Sequence, residues 1–163
     1  MHDNLMILST RYQTRLYLLE KISIQDARWH KFLPKLFPYL ERIHETLFIN
    51  ENICLSFNND QAVKRLNYEF RGKNKATNVL TFELTHCPTQ FGGDIVFALQ
   101  TIKKEAKLAK RPVIHHLSHL IIHGLLHLQG FDHICVNDAR IMERKEASIL
   151  HKIGIPNPWK TLL

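Results

Sequence analysis

The segment over residues 115–133, HHLSHLIIHGLLHLQGFDH, constrains the fold of this chain more than any other. Its apolar residues recur at helical spacing around most of the circumference, which predicts a buried central helix whose histidine stripe opens into a cleft. His123 and His127 are four residues apart, so a helix places both side chains on one face. Gly130 is expected to end the helix in a left-handed conformation, and the following turn can bring His133 back to the same face.

The spacing H-x3-H-x5-H predicts that His123, His127 and His133 bind one metal ion per chain. Imidazole nitrogen is a common zinc ligand with bonds of about 2.0–2.1 Å, and three protein ligands leave a fourth position for water or substrate. A single histidine beside apolar residues is more often a hydrogen-bonded core residue, but three around a helix-ending glycine favour a metal site. His119, one turn earlier, is expected either to orient a ligand or substrate or simply to pack.

The length and composition predict one domain. The chain has 163 residues, 45% of them hydrophobic, which suits a single core and leaves little room for a second domain. Residues 1–163 are therefore expected to form one domain around the metal site, with residues 1–13 as a loose N-terminal extension. There is no apolar run near 18 residues and no signal-peptide pattern at the start, so a cytoplasmic location is expected.

The cysteines and the net charge indicate the compartment and the kind of partner. Cys54, Cys87 and Cys135 are odd in number and lack paired spacing, so a reducing compartment is expected and a disulfide framework is not. Cys135 follows His133 closely, but a fourth protein ligand would close a catalytic metal site. The formal net charge of +7 favours an anionic partner, nucleic acid before membrane.

Hydrophobic spacing and turn residues predict an α+β fold: a single compact domain with one small mixed β-sheet of about four strands, several helices, and the histidine-bearing helix at its centre. A first strand is expected at residues 14–20, although its leucines also suit a helix. Further strands are expected at residues 52–57, 78–84 and 94–99. The remaining segments are assigned to helices at residues 25–45 (interrupted near Pro34 and Pro38), 60–70 and 101–111, to the histidine helix after Pro112, and to a last helix capped by Asn137 or Asp138.

The histidine spacing is also that of metzincin-type zinc peptidases, in which a glutamate follows the first histidine and acts as the general base. Here that position is Gly124, which makes proteolysis a poor interpretation. A peptidase would need its base elsewhere, for instance Glu83 or Asp94.

A three-histidine zinc site also suits phosphodiester hydrolysis, because zinc can acidify water and polarise a phosphoryl oxygen. Such a reaction needs positive charge near the phosphate, which Arg71, Lys73 and Lys75 in FRGKNK can supply. The alternative is a solvated basic loop. A second basic cluster before the histidine helix could follow an RNA backbone or form a solvated helix face, and it consists of Lys103, Lys104, Lys107, Lys110 and Arg111.

Three stretches, LNYEFRGKNKATNVLTFE, GGDIVF and HGLLHLQGFDH, resemble the YbeY family of bacterial rRNA maturation factors. The resemblance covers roughly residues 52–154 and implies a compact α+β fold and metal-dependent, single-strand-specific endoribonuclease activity. It also implies work on the 3′ end of 16S rRNA, a role in ribosome quality control, and contact with the 30S subunit and its assembly proteins. By motif, it assigns zinc to the three histidines and an activity-determining arginine to Arg71.

The chain departs from the family pattern at three positions. Phe131 stands where tyrosine is common, Asn74 where an acidic residue is frequent, and Glu83 where proline is frequent. The last two concern the local shape of the Arg71 loop.

The sequence therefore favours a zinc-dependent endoribonuclease in which Arg71 stabilises the charge of the transition state, while Lys73, Lys75 and His119 contact substrate. The nucleophile is left open between a water at the metal and the 2′-hydroxyl of the RNA. Two alternatives remain: an RNA-binding assembly factor whose zinc is purely structural, and a zinc peptidase.

Overall fold

The structure of the protein is a computed structural model that describes residues 2–84 and 91–159. In chain order its elements are α1 (His2–Glu20), β1 (Ile22–Ile24), a 3₁₀ helix (Ala27–Phe32), α2 (Leu33–Leu47), β2 (Ile53–Asn58), α3 (Asp60–Arg71), β3 (Val79–Glu83), β4 (Gly93–Ala98), α4 (Leu99–Leu108), α5 (Val113–Leu128) and α6 (Val136–Lys152). This set confirms the predicted α+β class.

The four strands form one mixed sheet in the order β1-β2-β4-β3. β1 and β4 both run parallel to β2, whereas β3 is antiparallel to β4 at one edge. Successive residues of β4 point to opposite faces of the sheet. Ile95 and Phe97 enter the main core, while Val96 and Ala98 pack in a smaller cluster with Val63 of α3. Both faces of the central strands are therefore covered by helices.

The histidine helix α5 lies at the centre of the main core, as predicted. Its buried residues include Leu117, Ile121 and Leu125, and the core around them draws on α2, α6 and the sheet. Gly124 faces β4 so closely that a Cβ atom there would lie 2.7 Å from Cγ2 of Ile95. The glycine is thus required by the approach of α5 to the sheet.

The predicted first strand at residues 14–20 is wrong, because this segment belongs to α1 (His2–Glu20) and the first strand is β1 (Ile22–Ile24). The segment has three leucines among seven residues and one β-branched residue, Thr14, which favours a helix once one side can pack. Leu18 supplies that contact and is fully buried. Residues 1–13, expected as a loose extension, are helical from His2 onwards, and the single-domain division stays a prediction.

The other predicted elements agree with the structure to within a few residues. Pro34 lies in the first turn of α2, next to the junction with the 3₁₀ helix. The interruption expected near Pro38 is wrong, because α2 continues through that residue. The predicted cap of the last helix is wrong: Cys135, with an extended backbone, is the cap of α6, and its Sγ accepts from Asp138 N–H at 3.5 Å.

Asp138 instead lies in the first turn of α6, where its negative charge suits the helix dipole. Cys54 and Cys135 are free thiols, and Cys87 lies outside the described residues. Among the helices of the described residues, none is long and apolar enough to cross a membrane.

Candidate metal centre

A hydrogen-bonded turn at the end of α5 positions His133. Gly130 has φ +92°, and the N–H groups of Gly130 and Phe131 donate to carbonyls of the last helical turn at 2.9 and 3.0 Å. This pair of bonds is a Schellman motif, which reverses the chain direction after a helix. Asp132 then accepts the backbone N–H of His133 at 2.7 Å. The turn thereby returns His133 to the helix face that carries the other two histidines.

The predicted ligand atoms of His123, His127 and His133 all lie within 4.8 Å of one another. The centroid of the His127 ring lies 4.5 Å from that of His123 and 5.1 Å from that of His133. Tetrahedral zinc with bonds of about 2.0–2.1 Å holds its nitrogen ligands about 3.3–3.4 Å apart. Small side-chain movements therefore suffice for the three imidazoles to share one ion.

The protonation pattern of the histidines fits a cation. Nδ1 of His123 lies 2.5 Å from Oε1 of Glu146, so we assign its proton to Nδ1, which leaves a lone pair on Nε2. That Nε2 faces Nε2 of His127 at 3.0 Å. Burial, followed by the charges of His123 and His133, lowers the pKa of His127 and favours its neutral, ligand-competent form. Two facing lone pairs repel unless a proton or a cation lies near them.

Glu146 on α6 is the buried partner of this cluster, and the sequence prediction missed it. It is 2% exposed, and its two carboxylate oxygens bond His119 at 2.9 Å and His123 at 2.5 Å. Burial alone would raise its pKa, but the hydrogen bonds from both histidines outweigh burial and lower the pKa to about 2. The carboxylate is therefore charged and orients His123.

A signal for Glu146 does exist in the sequence. It occupies the same face of α6 as the buried residues Met142, Ile149 and Leu150. Acidic residues are almost never fully buried unless they are paired. One glutamate on an otherwise apolar helix face therefore indicates a buried polar partner, although the pattern does not reveal which one.

The structure places His119 beside Glu146 and not among the three clustered imidazoles. Its Nε2 bonds the carboxylate, its Nδ1 is buried with no hydrogen-bond partner among the described residues, and its ring meets Trp159 edge to face at 5.4 Å between centroids. His119 therefore bonds Glu146 and can influence the candidate metal site through this carboxylate.

Arg71, at the end of α3, reaches the same cavity as the three histidines. The cavity measures about 400 Å³, and its wall also includes Asn78, Thr81 and Asp132. Nη2 of Arg71 donates to the carbonyl of Thr81 at 2.9 Å, which directs the guanidinium across the edge strand β3. Lys73 and Lys75 lie in the exposed loop that follows and do not line this cavity.

The packing of Gly124 leaves no room for the glutamate that a metzincin-type peptidase carries after its first histidine, because even a Cβ atom would meet Ile95. Of the two substitute bases considered, Glu83 lines the histidine cavity, whereas Asp94 is exposed and does not.

Comparisons of the sequence and the fold with known proteins give concordant matches. The sequence model of the family described as Endoribonuclease YbeY matches residues 18–154. A Gluconobacter oxydans protein named Endoribonuclease YbeY is 41% identical over 149 residues, which cover 85% of this chain and 86% of that protein. A protein of the same name from Thiobacillus denitrificans is 34% identical over 140 residues, covering 85% and 95%. The solution structure of a Thermotoga maritima protein aligns with a TM-score of 0.60 at 26% identity, covering 81% and 88%.

Proposed function

The chain belongs to the Endoribonuclease YbeY family and is an endoribonuclease of rRNA processing; we propose that it holds one zinc ion at His123, His127 and His133 and cuts single-stranded RNA there. The observation that carries the proposal is the convergence of three imidazoles and Arg71 on one cavity. When bound, zinc supplies Lewis acidity at a phosphoryl oxygen and lowers the pKa of a water ligand to about 7.

The residues of the chain supply the remaining parts of the reaction. The Arg71 guanidinium is always charged and presents several N–H donors in one plane, so it binds phosphate oxygens and stabilises their growing charge but cannot act as a base. Glu146 holds His123 in the tautomer that a ligand needs, and His119 in turn fixes Glu146. Lys73 and Lys75, on the exposed loop, attract the RNA backbone.

Preference for a single strand is part of the proposal. A cavity of about 400 Å³ lies between the Arg71 loop and the histidine turn. Such a cleft accepts one phosphate with its sugar, whereas a duplex would have to open first.

We further propose that the substrate is the 3′ end of 16S rRNA, and that the protein works in the cytoplasm in ribosome quality control, on the 30S subunit with its assembly proteins. The net charge of +7 supports contact with rRNA. Free thiols at Cys54 and Cys135 suit a reducing compartment. The precise RNA site and the assembly partners rest on the family resemblance.

Cleavage of an RNA with an unprocessed 16S 3′ end tests the proposal. Zinc-loaded protein is compared with His127→Ala and Arg71→Glu preparations that are purified identically, because a contaminating ribonuclease would cut equally in all three. We expect cleavage by the unmutated chain alone. Products ending in a 2′,3′-cyclic phosphate would identify the RNA's 2′-hydroxyl as the nucleophile. Equal activity or equal inactivity in all three preparations would overturn the proposed catalytic roles and favour an assembly factor with structural zinc.

A further inference from the structure

A second cavity, of about 430 Å³, adjoins the histidine cluster on the side of α4 and α6. His123, His133, Asn78 and Val79 line both this cavity and the one that contains Arg71. An RNA strand that crosses the histidines therefore meets Arg71 on one side and the second cavity on the other. Its volume lies within the range of about 300–1,000 Å³ that is typical of small-ligand sites.

The two cavities differ in chemistry. The Arg71 side has a polar wall, in which a guanidinium and two threonines accompany the carboxylates of Glu83 and Asp132, and the guanidinium and hydroxyls suit a phosphate and a sugar. The wall of the second cavity includes Leu120, Met142 and Trp159, together with the carboxylates of Glu105, Glu143 and Glu146 and a single guanidinium, that of Arg111. Of these carboxylates, Glu105 and Glu146 are already bonded to histidines. The apolar part of the wall therefore sets the chemistry of this cavity, and it accepts a flat, uncharged nucleobase.

Trp159 offers the aromatic surface that such a base requires. The residue is 50% exposed, and its ring is held against His119 with an interplanar angle of 84°. Its backbone N–H donates to the Asn157 side chain at 3.0 Å, which fixes the turn that carries it. Trp159 lies beyond residues 18–154, the part that the family model matches.

We propose that Trp159 and this cavity bind, by stacking, the base of the nucleotide next to the phosphodiester bond at the histidine cluster. The inference rests on the proposed function, because it assigns a substrate position relative to that site. Stacking on an aromatic face accepts every base, so the subsite strengthens binding without selecting a sequence. A base placed there holds the neighbouring phosphate between Arg71 and the histidines.

Tryptophan fluorescence during titration with a short 2′-O-methyl oligoribonucleotide tests the subsite. The second tryptophan, Trp29, is 1% exposed and donates its indole N–H to a backbone carbonyl, so of the two tryptophans only Trp159 can stack on a base. We expect quenching in the unmutated protein and about tenfold weaker affinity for Trp159→Ala. Trp159→Phe should retain most of the affinity but lose the quenching. Tyr12→Ala, which removes a 65% exposed ring on α1, is the matched control and should behave like the unmutated protein.

An abasic series locates the base. One nucleotide at a time is replaced by its abasic form in the oligoribonucleotide. At one position, the abasic replacement should weaken binding to the unmutated protein as much as Trp159→Ala weakens binding of the intact oligoribonucleotide. The same replacement should leave the affinity of the Trp159→Ala protein unchanged. Equal sensitivity of both proteins at every position would overturn the subsite, as would unchanged affinity of Trp159→Ala.

Failure of the subsite can be distinguished from failure of the proposed function. If Trp159→Ala cuts RNA with unchanged KM and the unmutated protein shows no quenching, the subsite is wrong while the endoribonuclease assignment stands. If Trp159-dependent binding and quenching occur but no RNA is cut, the subsite stands as an RNA-binding feature and the catalytic proposal fails. Circular dichroism of each variant establishes that it has folded.

Discussion

Glu146 shows how one residue on a neighbouring helix prepares His123 to bind a metal. Its carboxylate accepts from Nδ1 of His123, so that Nε2 is left unprotonated and faces Nε2 of His127. A carboxylate in this position also raises the basicity of the imidazole that it contacts. The charge, more than the shape, of Glu146 should therefore matter for metal affinity.

Glu146→Gln keeps the shape of the side chain and removes its charge. We expect zinc affinity to fall by about 10- to 100-fold, which is the usual cost of losing a partner that orients a histidine ligand. Competition with a chromophoric chelator measures this affinity. Glu143→Gln, on the exposed side of the same helix, is the matched control. Equal zinc affinity in the two variants would contradict the orienting role of Glu146.

His44 is a second histidine whose environment gives a testable pH dependence. Its Nδ1 accepts the backbone N–H of Ile49 at 3.1 Å, and its ring packs between Tyr17 and Phe48. Burial lowers its pKa below the ordinary 6.5, against a smaller opposing effect of Glu45. The folded state therefore prefers the neutral ring. Its contribution to stability is present above pH 6.5 and is lost as the pH falls through the lowered pKa.

His44→Gln should consequently flatten the pH dependence of stability. Urea unfolding at pH 7.5 and at pH 5.5 gives the change in unfolding free energy for each protein. We expect the unmutated chain to lose more stability on acidification than His44→Gln does. His151→Gln removes an exposed histidine and serves as the control. The same pH dependence in the unmutated chain and in His44→Gln would mean that protonation of His44 does not oppose folding.

At the scale of elements, the contact between α5 and β4 fixes where the histidines lie relative to the sheet. Gly124→Ala would put a methyl group 2.7 Å from Cγ2 of Ile95. Alanine is the better helix former by about 1 kcal/mol, but overpacking in a core usually costs about 1–3 kcal/mol. We expect net destabilisation, measured by urea unfolding. The cost should shrink in an Ile95→Ala background, and an equal cost in both backgrounds would exclude the contact as its cause.

The elements that the sequence predicts correctly are those whose own residues carry a clear pattern. The strands β2, β3 and β4 and the helices α3 and α5 follow from local periodicity, glycines and caps, because each segment buries one pattern of side chains. The strand prediction for residues 14–20 is wrong because leucine suits both helix and strand. The burial of Leu18 stabilises the helix. Local patterns favour one backbone conformation, but they do not specify its tertiary partner.

The same distinction applies to the candidate site. The cluster of His123, His127 and His133 follows from spacing alone, since it lies on one helix and the turn after it. Charge alone indicates Arg71, Lys73 and Lys75 together, and the family motif is needed to single out Arg71, because no local pattern shows that the end of α3 lies beside the histidine cavity. Sequence patterns do not predict Glu146 and Trp159 at the site, because each belongs to a part of the chain that no local pattern connects to α5.

At the scale of the whole molecule, the main core is separate from the candidate metal site. The core comprises apolar residues of α2, α5, α6 and the sheet, whereas His123 and His127 are half-buried and His133 is exposed. Removing zinc therefore takes no apolar contact away from the core. The metal-free chain should stay folded, in contrast to small domains that a structural zinc holds together.

Treatment with a chelator should accordingly abolish RNA cleavage while near-ultraviolet circular dichroism stays native. Zinc that binds only the folded state at 100 times its Kd adds about 2.7 kcal/mol, so Tm should rise by roughly 5–10 °C on reloading a chain of this size. His127→Ala, which lacks one of the three imidazoles, is the control and should show a much smaller rise. A chain that unfolds when zinc is removed would instead identify the ion as structural, because only then would folding itself depend on the three histidines.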